Sequence, residues 1–209
     1  MIDIFDKIEY FNDTKETFRE MSYDGTDNVS MIDCNQIGYN FDKVKTHYAN
    51  SLGLTEEVAK SIDTLYYSRK INKYIFVEFK NGLMKNAKAD VIRKLKDSLL
   101  IFCDIFNANI SFTRKNALFI LVYNEEKNKK KNNTTNGDEY GKDEMKDHIY
   151  GLAKEHEIRF GLERYRGLYF CDVFTYGKAE FNNVLNDILD LIKYNETIEF
   201  PIVFFFTAY

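Results

Sequence analysis

Tryptophan is absent from this chain, proline occurs once and cysteine three times in 209 residues. Cys34, Cys103 and Cys171 are odd in number, widely spaced and set in apolar surroundings. That pattern speaks for buried free thiols in a reducing compartment and against a disulfide framework. There is no Cys-x-x-Cys pair, and His47, His148 and His156 form neither a His-x-His nor a His-Glu-x-x-His pattern. A zinc site is therefore not expected, and any metal should be bound by oxygen. No apolar run reaches the ~20 residues of a membrane-spanning helix. The N-terminus, MIDIFDKIEYFNDTKE, lacks a basic start followed by an apolar core, so a cytoplasmic protein without a membrane segment is expected. Positive charge is not in excess either: 29 Lys and Arg face 33 Asp and Glu, a net charge of −4. A surface that binds polyanions everywhere is excluded, although a local basic patch is not.

What is present is enough for one sizeable core, and residues 1–209 read as a single domain. The organising stretch is Ser61 to Gly82, SIDTLYYSRKINKYIFVEFKNG. From Tyr74 to Lys80 the side chains alternate, placing Ile75, Val77 and Phe79 on one face and Tyr74, Phe76, Glu78 and Lys80 on the other. Asn72 separates this run from the β-rich run Asp63 to Arg69. A reversal there lays the two strands antiparallel and returns Asp63 to the side of Glu78 and Lys80.

An aspartate, a hairpin-length gap and Glu-x-Lys at the end of an apolar strand resemble the PD-(D/E)xK nuclease-like superfamily, with Asp63, Glu78 and Lys80 on its three signature positions. The resemblance covers mainly the hairpin and the helix after it, and it departs from the pattern in carrying Ile62 where proline is usual. It implies an α/β fold, a mixed central β-sheet flanked by helices with a restriction-endonuclease-like core. It also implies Mg²⁺ or Mn²⁺ held by Asp63, Glu78 and the backbone carbonyl of Phe79, with Lys80 orienting water or stabilising charge on a phosphodiester. Two neighbouring carboxylates repel, so they take up a proton or hold a hard cation. The plainer alternative is a solvated cross-strand ion pair of Glu78 and Lys80 worth at most ~1 kcal/mol.

Along the chain, residues 1–24 carry apolar residues at a spacing suited to one or two short helices packed over the sheet. Asp24 to Asn28 has turn chemistry, and Val29 to Ile37 reads as a first short strand. Phe41 to Leu52 has helical periodicity with a stop at Gly53, and Thr55 is placed to cap a further turn over Thr55 to Lys60. Glu56 and Glu57 suit the first turn of that helix through its dipole. In relatives of the nuclease-like superfamily a helix-borne glutamate adds a metal ligand, which makes Glu56 or Glu57 a secondary candidate, Glu57 being the one taken forward as a metal ligand.

Ala87 to Phe106 reads as the strongest helix, with Val91, Leu95, Leu99, Phe102 and Phe106 in one stripe. Lys85, Lys88, Arg93 and Lys96, with Lys94 among them, crowd its first half. They form either a nucleic-acid contact or a solvated helix face. Ala117 to Tyr123, ALFILVY, is a central strand buried on both faces, and 124–142 is a flexible polar loop. Asp143 to Glu157 resumes helical periodicity, and Leu168 to Phe174 reads as an aromatic strand preceded by Arg159, Arg164 and Arg166. Those arginines suit phosphate contact or carboxylate pairing within the fold. A helix follows from Phe181 to Ile192. Phe200 to Tyr209, FPIVFFFTAY, is a covered strand or a surface for a protein partner or a second copy.

Two functions follow. One is a Mg²⁺-dependent phosphodiesterase acting on nucleic acid in defence, counter-defence or repair. The other is a noncatalytic protein-binding module of nuclease-like fold: an inhibitor, an immunity or anti-defence protein, or a complex subunit.

Overall fold

The computed structural model describes residues 4–129 and 158–188. Two 3-10 turns, Ile4–Lys7 and Glu9–Phe11, bury Phe5 and Phe11 against Tyr39 and Phe106. Strand β1 (Lys15–Thr17) and the single-turn helix α1 (Phe18–Met21) follow, the latter closed by a capping box between Thr17 and Glu20. β2 (Tyr23–Asp24) and β3 (Val29–Ser30) form a small hairpin around the expected turn, with Asn28 at φ 53°. β4 (Ile37–Asn40) leads directly into α2 (Phe41–Ser51), whose first turn is capped by the Asn40 side chain.

Sequence periodicity therefore located α2 but misread what precedes it. Residues Lys15–Thr17 form a sheet strand where only helix was expected. The expected strand Val29 to Ile37 divides into β3 and β4, because only Ile37–Asn40 has sheet neighbours on both sides.

Next come β5 (Thr64–Ser68) and β6 (Lys73–Lys80), antiparallel with Thr64 opposite Val77. Asn72 takes a left-handed φ of 54° at the reversal and accepts a hydrogen bond from the Tyr67 hydroxyl. Asparagine tolerates that conformation, which is why the turn sits there. α3 (Met84–Ile105) and α4 (Ile110–Asn116) then carry the chain back to β7 (Ala117–Tyr123), which runs parallel to β6. β8 (Asp172–Gly177) is parallel to β7 and feeds α5 (Lys178–Ile188). This strand starts four residues later than the aromatic run suggested, since Leu168 is exposed and Phe170 makes only a bridge to Arg166.

The main sheet is mixed and six-stranded, in the order β1-β4-β5-β6-β7-β8. Every residue of β7 is buried, as a strand covered on both faces requires. Phe119 and Leu121 join Tyr74 and Phe76 under α3, while Leu118, Ile120 and Val122 join Ile75, Val77 and Phe79 under α1 and α5. The alternation read along β6 is the one realised. The expected helix Asp143 to Glu157, the last residues of the helix to Ile192 and the segment Phe200 to Tyr209 lie outside the described residues. Of the polar segment 124–142, the part described is tied down: Asn124 donates to Asn81, and the Glu125 carboxylate accepts from the backbone N–H groups of Lys178 and Ala179.

Candidate metal and phosphate site

Asp63 stands just before β5, and α3 holds that approach from outside. Ser98 Oγ accepts the Ile62 N–H at 2.9 Å, and Asp97 Oδ2 accepts the Lys60 N–H at 2.9 Å. The Asp63 carbonyl accepts from Phe41 N–H at 3.1 Å, and its Oδ2 accepts from Phe79 N–H at 2.6 Å. Main chain and side chain of Asp63 are thus both fixed, the first by α2 and the second by the end of β6.

Glu78 lies on the α3 face of β6 and is completely buried. Its Oε1 is 2.7 Å from Lys94 Nζ, and the same ammonium is 3.2 Å from Asp63 Oδ1. The hairpin therefore does bring Asp63 and Glu78 together, and it does so around a cation supplied by α3. Glu78 Oε2 is buried with no hydrogen-bond partner. Burial first, and the Asp63 charge second, push the Glu78 carboxyl well above the usual glutamate range, against the pull of Lys94. Burial likewise raises Asp63, with Lys94 and the Phe79 N–H opposing it. Burial alone would lower the Lys94 ammonium, but Asp63 and Glu78 overcome it and hold Lys94 charged.

Lys80, two residues beyond Glu78 on the same face, is half-buried and makes no ion pair among the described residues; its charge acts on Glu78 through space. The signature lysine is therefore near the carboxylates without touching them, and Lys94 holds the contact position. The role of Lys94 had a sequence signal. It stands in the core-facing series Val91, Lys94, Leu95, Ser98, where a charged residue needs a buried partner. Asp42, at the start of α2, is a second residue that periodicity did not single out. It accepts from Ser61 Oγ and raises the pKa of Asp63.

A polar cleft of about 880 Å³ opens beside this cluster, its wall including Asp42, Lys45, Glu57, Lys60, Ser61 and Lys94. Asp63 and Glu78 are not part of the wall, so the cluster meets the cleft through Lys94. Glu56 and Glu57 sit in a 3-10 turn, Glu56–Val58, and both are exposed. The Thr55 side chain makes no capping hydrogen bond there, contrary to the sequence expectation. Glu57 faces the same cleft as Lys94, without touching Asp63 or Glu78.

The basic residues of α3 separate into different environments. Arg93 pairs with Asp97 at 3.4 Å, and Lys96 lies over the Tyr165 ring at 6.0 Å. Lys85 is exposed, and Lys88 lies against Gly161 and Arg164. Arg159 donates to Tyr123 Oη and to the Asn128 carbonyl, while Arg166 pairs with Asp172 at 2.6 Å. These two arginines serve the fold.

The residues that could hold a small hard cation are Asp63, Glu78 and Phe79. Asp63 and Glu78 offer carboxylate oxygens, one of them the unpartnered Oε2. In antiparallel geometry the N–H and C=O of one residue face the same neighbour, so the Phe79 carbonyl faces the edge where its N–H meets Asp63. Among the described residues no group of three or more His, Cys, Asp or Glu side chains gathers as a metal cage. Two carboxylates completed by water and phosphate oxygens are the usual arrangement for magnesium, which rarely has an all-protein cage. Comparison with protein-family models, with curated proteins and with solved structures finds no match.

Proposed function

We propose that this protein is a Mg²⁺-dependent phosphodiesterase acting on nucleic acid, built on a PD-(D/E)xK nuclease-like fold with a restriction-endonuclease-like core. One observation carries the reading: Asp63 and Glu78 converge on a single ammonium next to an open polar cleft, and a buried carboxylate oxygen of Glu78 is left unpartnered. The order of the core supports it as well, with the antiparallel pair β5–β6 followed by α3 and the parallel strand β7.

Asp63, Glu78 and the Phe79 carbonyl would hold the ion. When bound, Mg²⁺ supplies a water of lowered pKa and positive charge against the scissile phosphate. Lys94 stays protonated between the carboxylates and lines the cleft, where its one remaining N–H would orient a phosphate oxygen. Lys80 adds a second positive charge at the end of the same strand. Lys45 and Lys60, on the cleft wall, would favour entry of an anionic substrate.

The direct test is titration calorimetry with Mg²⁺ and Mn²⁺ alongside cleavage of DNA and RNA. Wild type should bind either ion and cleave, and Glu78→Ala should lose both while keeping its circular dichroism spectrum. Cleavage that survives in Glu78→Ala would overturn the assignment.

A second reading, the noncatalytic protein-binding module, is favoured by the same ammonium. Lys94 bridges both carboxylates, as the cation of a structural ion-pair network does. The net charge of −4 suits basic partners. It predicts no heat with either ion and a stoichiometric protein complex on size exclusion.

A further inference from the structure

The loop before β8 brings Arg164 up to Lys88 of α3, a pair of cations with no counter-charge paired to either among the described residues. Gly161 has no side chain, and the point where a Cβ would stand is 3.0 Å from Lys88 Nζ and 3.0 Å from Arg164 Nη2. The two nitrogens are therefore at most about 6 Å apart, close enough to repel appreciably. Among the described residues neither forms an ion pair, whereas Arg93, Lys94, Lys127 and Arg166 all do.

The backbone holds the pair together in spite of the repulsion. Phe160 and Gly161 take successive left-handed conformations, φ 64° and 72°, and Arg164 Nε donates back to the Gly161 carbonyl at 2.8 Å. A bulky residue at positive φ is uncommon and persists only where packing imposes it. Here the Phe160 ring packs edge-on to Tyr123 at 5.0 Å, under the Arg159 guanidinium. A substituent at Gly161 would displace one of the two cations.

We propose that Lys88 and Arg164 form a seat for one phosphodiester group of a nucleic-acid strand, with Gly161 leaving room for the backbone to approach. The identity of the ligand rests on the phosphodiesterase reading; the existence of an anion seat does not. Lys88 lies six residues before Lys94 on α3, about 9 Å along the axis at ~1.5 Å per residue. Six residues at about 100° each also leave the two side chains about 120° apart around the helix, so the seat and the cleft lie on different sides of α3. An anion between the two side chains would relieve their repulsion and use the Lys88 Nζ and Arg164 Nη donors, which no acceptor among the described residues satisfies.

The test is fluorescence anisotropy of labelled single-stranded DNA and RNA at rising salt in EDTA, so that metal and cleavage do not enter. The double variant Lys88→Gln/Arg164→Gln should bind about tenfold more weakly at low salt and lower the slope of log affinity against log salt by about 0.7, the loss of one phosphate contact on a single strand. The charge-matched control Arg69→Gln/Lys70→Gln, at the β5–β6 reversal, should keep the wild-type slope. Equal loss in both variants, unchanged binding in the first, or no binding by wild type would overturn the seat. Displacement of the strand by inorganic phosphate at comparable concentration would overturn its assignment to nucleic acid. Loss of binding in the first variant without any Mg²⁺-dependent cleavage by wild type would leave the seat standing and remove only the hydrolase.

Discussion

Glu78 is the residue on which the proposed chemistry turns. Its folded pKa is raised above the ordinary 4.5 by burial and by Asp63, so between that value and the folded one the native protein holds a proton that the unfolded chain has released. Its contribution to stability is therefore complete below about 4.5 and is lost as pH rises through the folded value. Glu78→Gln, which cannot titrate, should flatten urea-midpoint stability across that window and abolish calorimetric Mg²⁺ binding. An unchanged slope would mean that other groups carry the dependence. Lys94 makes the complementary prediction. Replacing it by Met leaves two buried carboxylates without their cation, a loss of about 3–5 kcal/mol by analogy with broken buried pairs. Mg²⁺ should then raise the melting temperature of Lys94→Met more than that of wild type, because the ion would supply the missing charge. A smaller rise in the variant would count against the carboxylates as ligands.

At the scale of the element, α3 acts as the jig for the site. Its side chains Asp97 and Ser98 hold the backbone at Lys60 and Ile62, its Lys94 gathers the carboxylates, and its first turn is capped from afar by Asn128 Oδ1 on Met84 N–H at 2.8 Å. Ser98→Ala would leave the buried Ile62 N–H unpaired, at about 1–3 kcal/mol. Urea denaturation should show that loss, and weaker Mg²⁺ binding should accompany it if the Ile62 contact aims Asp63. Weaker binding would be absent if Asp63 were held by Phe79 N–H alone. The amphipathic stripe of α3 was legible because burial repeats with the helical period. The tasks of Ser98 and Asp97 were not, since each serves a segment about 36 residues away in sequence.

For the molecule as a whole, the sheet closes two cores at once, and its packing leaves no room for a side chain at Gly38 in β4. A Cβ there would stand 2.8 Å from Thr64 Cγ2, 3.1 Å from Met21 Cε and 3.2 Å from Phe18 Cε2. Gly38→Ala should destabilise the fold by about 1–3 kcal/mol through overpacking, measured by urea midpoint. It should leave the Mg²⁺ affinity of the remaining folded protein unchanged, because Gly38 touches none of the site residues.

The amino-acid sequence by itself determined the β5–β6 hairpin, the faces of β6, the doubly buried β7 and the stripe of α3, because each is written in periodicities of two or 3.6 residues and in a turn residue that tolerates positive φ. From those it followed that Asp63 and Glu78 would meet. Tertiary structure alone decided which lysine meets them, that Asp42 joins the cluster, and that Lys88 faces Arg164 across Gly161. Those pairings depend on how α3 is seated on the sheet and how the loop before β8 returns to it, and no local pattern encodes contacts between segments so far apart in the chain.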